Sequence, residues 1–199
     1  MRTREALIRS AAEVFHREGF AAASLTVISS RAGVSNGALH FHFASKAVLA
    51  DAVEDAAACV LQTIMDRRNR VAPSILQHLV DATHELACGL QNDAVLRAGF
   101  ELSGEPGRVP RTDLRLRWQS WVTDMVDWAG RSGELRESVT REGVASAVVA
   151  ATVGFEVLGT RDAAWLSRRT VSQFWLVLLP ALASVSFTGE LKAGGSSPR

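Results

Sequence analysis

The 199-residue sequence contains no tyrosine, only two cysteines and three methionines, and a net charge of just +1. Without tyrosine, the groups left to orient a polar small molecule inside an apolar interior are Ser, Thr, Gln and the indole N–H. Two cysteines, Cys59 and Cys88, are too few for a disulfide framework, and the simplest expectation is that both are buried thiols of helices. No long uninterrupted apolar run is present. The longest, Val144 to Leu158 and Phe174 to Phe187, contain Glu156 and Pro180, and they fall short of the ~20 residues that span a bilayer. The start of the chain carries Arg2, Arg4, Arg9 and Arg17 among glutamates, which is not the apolar segment of an export signal. No membrane partner is expected, and the expected location is the cytoplasm. Sustained period-two alternation and hairpin dipeptides between apolar runs are missing as well, so the expected fold class is all-α. A nucleophile elbow, a phosphate-binding glycine loop and an HExxH pair are also absent, which leaves little basis for an enzyme and none for a cofactor.

What is present is 47% hydrophobic residues, enough for one or two helical cores. The most informative stretch is Ser24 to Lys46, SLTVISSRAGVSNGALHFHFASK. Ser24 suits an N-cap for a short helix with Leu25, Ile28 and Ala32 inward. Gly33 ends it, Val34 plugs the angle, and Ser35 caps a second short helix from Asn36 to Phe43. In that helix Leu39 and Phe43 share one side, leaving Asn36, Gly37, His40 and His42 outside. Helix, glycine turn and exposed helix is the arrangement in which the second helix enters the DNA major groove. Charge agrees. Residues 1–50 hold six basic side chains against three acidic ones, a net of +3, whereas the remainder holds 16 against 18, a net of −2. The positive excess lies where phosphates would be met.

A helix over 3–18, with Leu7, Ala11, Val14 and Phe15 inward and Gly19 closing it, precedes this motif. The division expected is a helix-turn-helix DNA-binding domain over 1–46, a helical dimerisation domain over 47–187, and a disordered tail over 188–199. The second part opens with a long connector helix from Lys46 to about Arg70, able to carry a tilt from its far end to the recognition helix. Beyond Pro73 helices are expected at about 75–89 and 92–102, then a loop at SGEPGRVPR, a tryptophan-rich helix at about 112–131, and two more at about 141–161 and 165–187. The last two carry more apolar surface than a single small core needs. Val144, Val148, Ala151, Phe155 and Leu158 line one face of the first, Ala147, Ala150 and Gly154 another, and Val171, Trp175, Leu178, Leu182 and Val185 recur along the second. A spare apolar face of this kind points to a homodimer.

AGVSNGALHFHF followed by SK resembles the N-terminal domain of the TetR family of bacterial regulators. Within it, VLRAGFELS at 95–103, Trp118, SGEL at 132–135 and GFEVLGT at 154–160 are similar to the γ-butyrolactone autoregulator receptors of actinomycetes. The resemblance implies a dimeric repressor that binds double-stranded operator DNA and is released by a small diffusible inducer of lactone or furan type, commonly controlling antibiotic genes. It also implies that Ser35, Asn36, Gly37, His40 and His42 face DNA, with Ser24 and Lys46 at phosphates. Asn pairs bidentately with adenine and Gly37 admits close backbone approach, which suits those roles. Asn36 stands where relatives often have a basic residue and His40 where they commonly have tyrosine, so the operator is not to be copied from them. Phe41 suits either a thymine methyl or the domain core. The resemblance also makes 47–187 the ligand-binding as well as the dimerisation domain, and for the ligand it points first to Trp118, with Trp121 on the same face and Leu86, Phe100, Gln119, Thr123, Val148 and Thr152 as further lining candidates.

Two rival readings remain. One is a pseudo-receptor of the same family that senses an antibiotic or nothing at all. The more distant one is a helical metal-dependent enzyme, for which Asp81, His84 and Cys88 share a helix face. Isolated pairs at this spacing arise often by chance, and no second ligand pair at zinc spacing accompanies them.

Overall fold

A computed structural model describes residues 2–66 and 74–196. The connector's expected end at Arg70 and the break at Pro73 lie outside the described residues. All regular structure among the described residues is helical: α1 (Arg2–Ala22), α2 (Leu25–Arg31), α3 (Asn36–His42), α4 (Lys46–Asp66), α5 (Ile75–Asn92), α6 (Ala94–Ser103), α7 (Leu114–Arg131), α8 (Arg141–Gly159), a 3-10 turn (Ala163–Leu166), α9 (Arg168–Leu182) and α10 (Val185–Thr188). The one extended feature is an isolated antiparallel bridge between Leu135 and Ala183. α8 is long and apolar enough to match a membrane span by length and composition, a test that a core helix passes equally.

The chain forms two compact units, one of residues 1–62 with 92–115 and one of 63–91 with 116–199. In the first unit the expected stripe of α1 is fully inward, with Leu7, Ala11, Val14 and Phe15 all buried. Gly19 (φ 77°) breaks the helix where a glycine was expected to close it. Ile28 of α2, Leu39 and Phe43 at α3, Leu49 and Val53 of α4 complete one core with Ala98 and Leu102 of α6. That last contribution explains how so small a three-helix head acquires an adequate core. α6 runs very close to α4: a Cβ placed on Gly99 would fall 2.3 Å from Ala57 Cβ and 2.8 Å from a Leu114 methyl. Both α4 and α6 depend on glycine at that crossing.

In the second unit α7 buries Trp118, Val122, Val126 and Ala129, α8 buries Val144, Val148, Thr152 and Phe155, and α9 buries Val171, Trp175, Leu179 and Leu182. Each set follows the 3.6-residue period. The two fully buried indoles have their N–H groups satisfied, Trp118 by Thr152 Oγ1 at 2.9 Å and Trp175 by Thr83 Oγ1 at 2.6 Å. Glu134 caps α5 from a distance of some 60 residues: its carboxylate accepts from Ile75 N (2.9 Å), Leu76 N (2.9 Å) and Ser74 Oγ (2.7 Å). It thereby satisfies N–H groups that no helix can pair internally, at the end where negative charge is favoured.

Three expectations need correction. The helix expected over 165–187 is broken. Ser167 caps a new start by accepting from Thr170 N, and α9 ends at Leu182, where the 183–184 backbone leaves to pair with 134–136. The tail is ordered through Ser196. Gln77, Asp81 and His84, on one side of α5, bind its backbone: Lys192 N to Gln77 Oε1 at 2.6 Å, Ser196 N to Asp81 Oδ1 at 2.7 Å, and His84 Nε2 to Ala193 O at 2.9 Å. A glycine-rich segment with no side chains to bury is held by its peptide groups instead. Residues 197–199 lie outside the described residues. Finally, Cys59 and Cys88 are both exposed, because each stands off the buried stripe of its helix.

The tail contact carries a pH dependence. Burial lowers the pKa of His84 from its ordinary 6.5, with the Arg168 charge adding to the effect and the Ala193 carbonyl and Asp81 opposing it. A lowered folded-state value means that the unfolded chain binds the proton first. The stabilisation is therefore complete above pH ~6.5 and is lost as pH falls through the folded value. Urea unfolding between pH 7.5 and pH 5 is expected to show falling stability that His84→Gln flattens. Parallel profiles for the two proteins would contradict this.

Candidate nucleic-acid interface and sensing core

α3 is presented as the sequence suggests. Ser35 Oγ accepts from Ala38 N at 3.1 Å, fixing the start of the helix. Gly33, at φ 70°, makes the turn before it. With Leu39 and Phe43 locked in the core, Asn36, Gly37 and His40 are exposed and His42 is half-buried. Phe41 is not part of the core: it is 86% exposed, with the His42 ring 5.3 Å from its own. Three neighbouring side chains of different chemistry, Asn36, His40 and Phe41, thus protrude from a helix that spends only its inner edge on packing.

The flanking residues are less simple. Ser24 adopts the extended N-cap conformation of α2, but its hydroxyl makes no capping bond. Lys46 is partly committed: its ammonium donates to Ala21 O at 2.8 Å and Ala23 O at 3.0 Å and lies 4.9 Å from the Phe20 ring centroid. One N–H of its three remains. Lys46 thus ties the start of α4 to the α1–α2 junction.

Sequence reasoning missed a larger device in the same unit. Glu54 of α4 is fully buried, and Arg108, whose side chain is 8% exposed, donates to it. The same guanidinium reaches Asp51 Oδ1 at 2.6 Å. Glu54 Oε2 also accepts from Arg111 N at 2.9 Å and weakly from Thr112 N at 3.4 Å. Desolvation alone would lower the pKa of Arg108, but Glu54 and Asp51 outweigh it and the net shift is upward. Arg108 is therefore held in its charged form. Arg108 also covers Phe20, 5.6 Å from its centroid, so Phe20 lies under both Lys46 and Arg108. The loop between α6 and α7 is thereby clamped to the scaffold of the recognition helix. The sequence did carry a signal: Glu54 interrupts the buried row Ala50, Ala57, Leu61 at helical spacing, and a charge there must be paired.

In the second unit Trp118 is 1% exposed and stacked on half-buried Trp121, ring centroids 5.0 Å apart and planes at 29°. His78 meets the edge of Trp121 at 5.4 Å. Thr152, which accepts the Trp118 N–H, passes its own hydrogen to the Val148 carbonyl at 2.9 Å. Trp118, Trp121, Val148 and Thr152 thus form one group. Leu86 is buried on α5 in the same unit. Gln119 and Thr123 do not belong to the group. They stand one residue beyond the inward positions Trp118 and Val122, a turn of about 100°, and are exposed. Phe100 is buried within the other compact unit. No group of His, Cys, Asp and Glu suited to hold a metal ion occurs among the described residues.

Residues 7–53 match the family described as bacterial regulatory proteins, tetR family. The chain is similar to the A-factor receptor protein of Streptomyces griseus, 28% identical over 203 residues that cover 98% of this chain and 69% of that protein. Among solved structures, a γ-butyrolactone receptor described as an ArpA-like protein matches with a TM-score of 0.80 and 26% identity, covering 96% of this chain and 94% of that one. CprB of Streptomyces coelicolor, a TetR-family protein solved with its biological operator sequence, matches with a TM-score of 0.77 and 28% identity over 94% and 91% of the two chains. The exposed α3 on its glycine turn agrees with these likenesses: residues 7–53 carry the DNA-binding domain of bacterial regulatory proteins of the tetR family, and the chain as a whole is similar to the A-factor receptor protein and to γ-butyrolactone receptor structures.

Proposed function

We propose that the protein is a homodimeric cytoplasmic repressor that holds double-stranded operator DNA through α3 and leaves it when a small lactone or furan signal enters the core around Trp118. The observation that carries the DNA role is the projection of Asn36, Gly37, His40 and Phe41 from a helix anchored by Leu39 and Phe43. Asn36 supplies the base-pairing amide, Phe41 an apolar surface for a thymine methyl, and Ser24 and the remaining Lys46 N–H reach phosphates. Dimerisation is supported by Leu176 and Val177 on α9, 62% and 80% exposed, and by Val157 and Leu158 on α8, which also face solvent. Leu158, which spacing groups with Val144, Val148 and Phe155, is 41% exposed and belongs to this outward apolar face. An inducer must favour the state that does not bind DNA, and decisive release requires several kcal/mol of differential affinity.

Binding of the protein to its own upstream DNA is expected to weaken steeply between 50 and 200 mM salt. Asn36→Ala should lose about 1–3 kcal/mol of discrimination at one base position. Salt-insensitive binding, or Asn36→Ala binding with unchanged sequence preference, would overturn the assignment of α3. The pseudo-receptor reading has one observation in its favour, the Trp118 N–H being already occupied by Thr152. Release by a γ-butyrolactone against release only by an antibiotic separates the two.

A further inference from the structure

We propose that an open pocket between the end of α7 and the start of α8, away from the Trp118 group, is a second small-molecule site that takes an organic carboxylate with a short apolar body. The pocket has a volume of 460 Å³ and is lined by Gly130, Gly133, Leu135, Arg136, Glu137, Val139, Arg141 and Ser184. Its scale is that of small-ligand clefts.

The floor is rigid. Leu135 pairs with Ala183, Arg136 N donates to Leu182 O at 2.8 Å, Ser184 N donates to Glu134 O at 2.8 Å, and Ser184 Oγ donates to Gly133 O at 3.0 Å. From below, the Glu134 carboxylate is fastened to the first turn of α5. That commitment matters for charge. The acid two residues from Arg136 is spent elsewhere, and Nε of Arg136 is buried with no hydrogen-bond partner. That N–H is closed to water and to a ligand alike, so the terminal nitrogens of the Arg136 fork are the donors that face an incoming acceptor, and among the described residues no carboxylate is paired with them. Arg141 adds a second positive charge. Its side chain lies across Gly130, where a Cβ would meet Arg141 Nε at 2.5 Å, and its facing acid, Asp127, is 3.9 Å away with both partners about half exposed. Glu137, also on the lining, is exposed. The lining thus carries two cations against one acid, with Leu135 and Val139 as apolar wall. A planar fork suits a carboxylate, and the wall suits a short chain or ring.

Sodium hexanoate is the probe, titrated into the full chain by calorimetry, with inorganic phosphate as competitor. Saturable binding is expected, weakened about tenfold or more by Arg136→Gln, as loss of one charge-assisted contact implies. It should be blocked by Val139→Trp, which fills the pocket and leaves the guanidinium, and unaffected by Arg169→Gln on α9. Operator binding of each variant reports that the fold is intact. Absence of saturable binding, or equal binding by wild type and Arg136→Gln, overturns the proposal. Displacement by phosphate at equal affinity overturns the carboxylate assignment. If Arg136→Gln loosens the dimer in sedimentation and leaves hexanoate binding alone, the guanidinium belongs to a second copy and the proposal fails.

Discussion

Arg108→Ala is expected to destabilise the protein by roughly 3–5 kcal/mol, because it strands a buried carboxylate rather than removing a favourable contact. Glu54 has no exposure and depends on that guanidinium for its counter-charge. The exposed pair of Arg111 with Asp55, 3.5 Å apart, should by contrast be worth little in water. Removing both members of the buried pair together, Glu54→Leu with Arg108→Met, should recover much of the loss. Urea unfolding of the three proteins gives the comparison, and operator affinity should fall in parallel because Phe20, Lys46 and the α1–α2 junction share the clamp. A cost below about 1 kcal/mol for Arg108→Ala would place the pair in the screened, surface class and refute the clamp.

Trp118 is the second position with a large expected effect. Trp118→Ala empties a fully buried site beside Trp121 and should cost about 3–5 kcal/mol. Trp118→Phe separates the two roles of the residue. It keeps an aromatic ring against Trp121 and deletes the indole N–H, while Thr152 Oγ1 retains its bond to the Val148 carbonyl. Thermal stability should therefore fall by less than in Trp118→Ala, and operator binding should not change. Release by a synthetic γ-butyrolactone should require more ligand. Should Trp118→Phe release at the same concentration as wild type, the indole N–H has no part in sensing. A loss of operator binding would instead mark Trp118 as purely structural.

The head was readable because each of its signals is local: the 3–4 spacing of Leu7, Ala11, Val14 and Phe15, the positive-φ glycine at 33, and the serine at 35 that caps α3. The candidate sites were less readable because they depend on partners distant in sequence. Glu54 finds Arg108 across 54 residues and Glu134 caps a helix that begins at Ile75, pairings that no periodicity records. The tail was misjudged for a related reason: its composition argues for disorder, but the polar row Gln77, Asp81 and His84 that captures it lies on α5. Gln119 and Thr123 fall outside the Trp118 group by angle alone, since a residue adjacent to an inward Trp118 or Val122 turns away by about 100°. Phe41, undecidable by pattern, is kept out of the core by its exposure.

The membership of α6 in the head's core bears on any attempt to exchange specificities with a relative. Ala98 and Leu102 pack among Leu7, Ile28 and Leu49, and the unit they complete joins 1–62 to 92–115. A chimera cut only after the recognition helix inherits a foreign α6, and with it a mismatched partner for Ala57 at the Gly99 crossing. The transplantable module is discontinuous: two stretches of sequence must travel together for one DNA-reading surface to arrive intact.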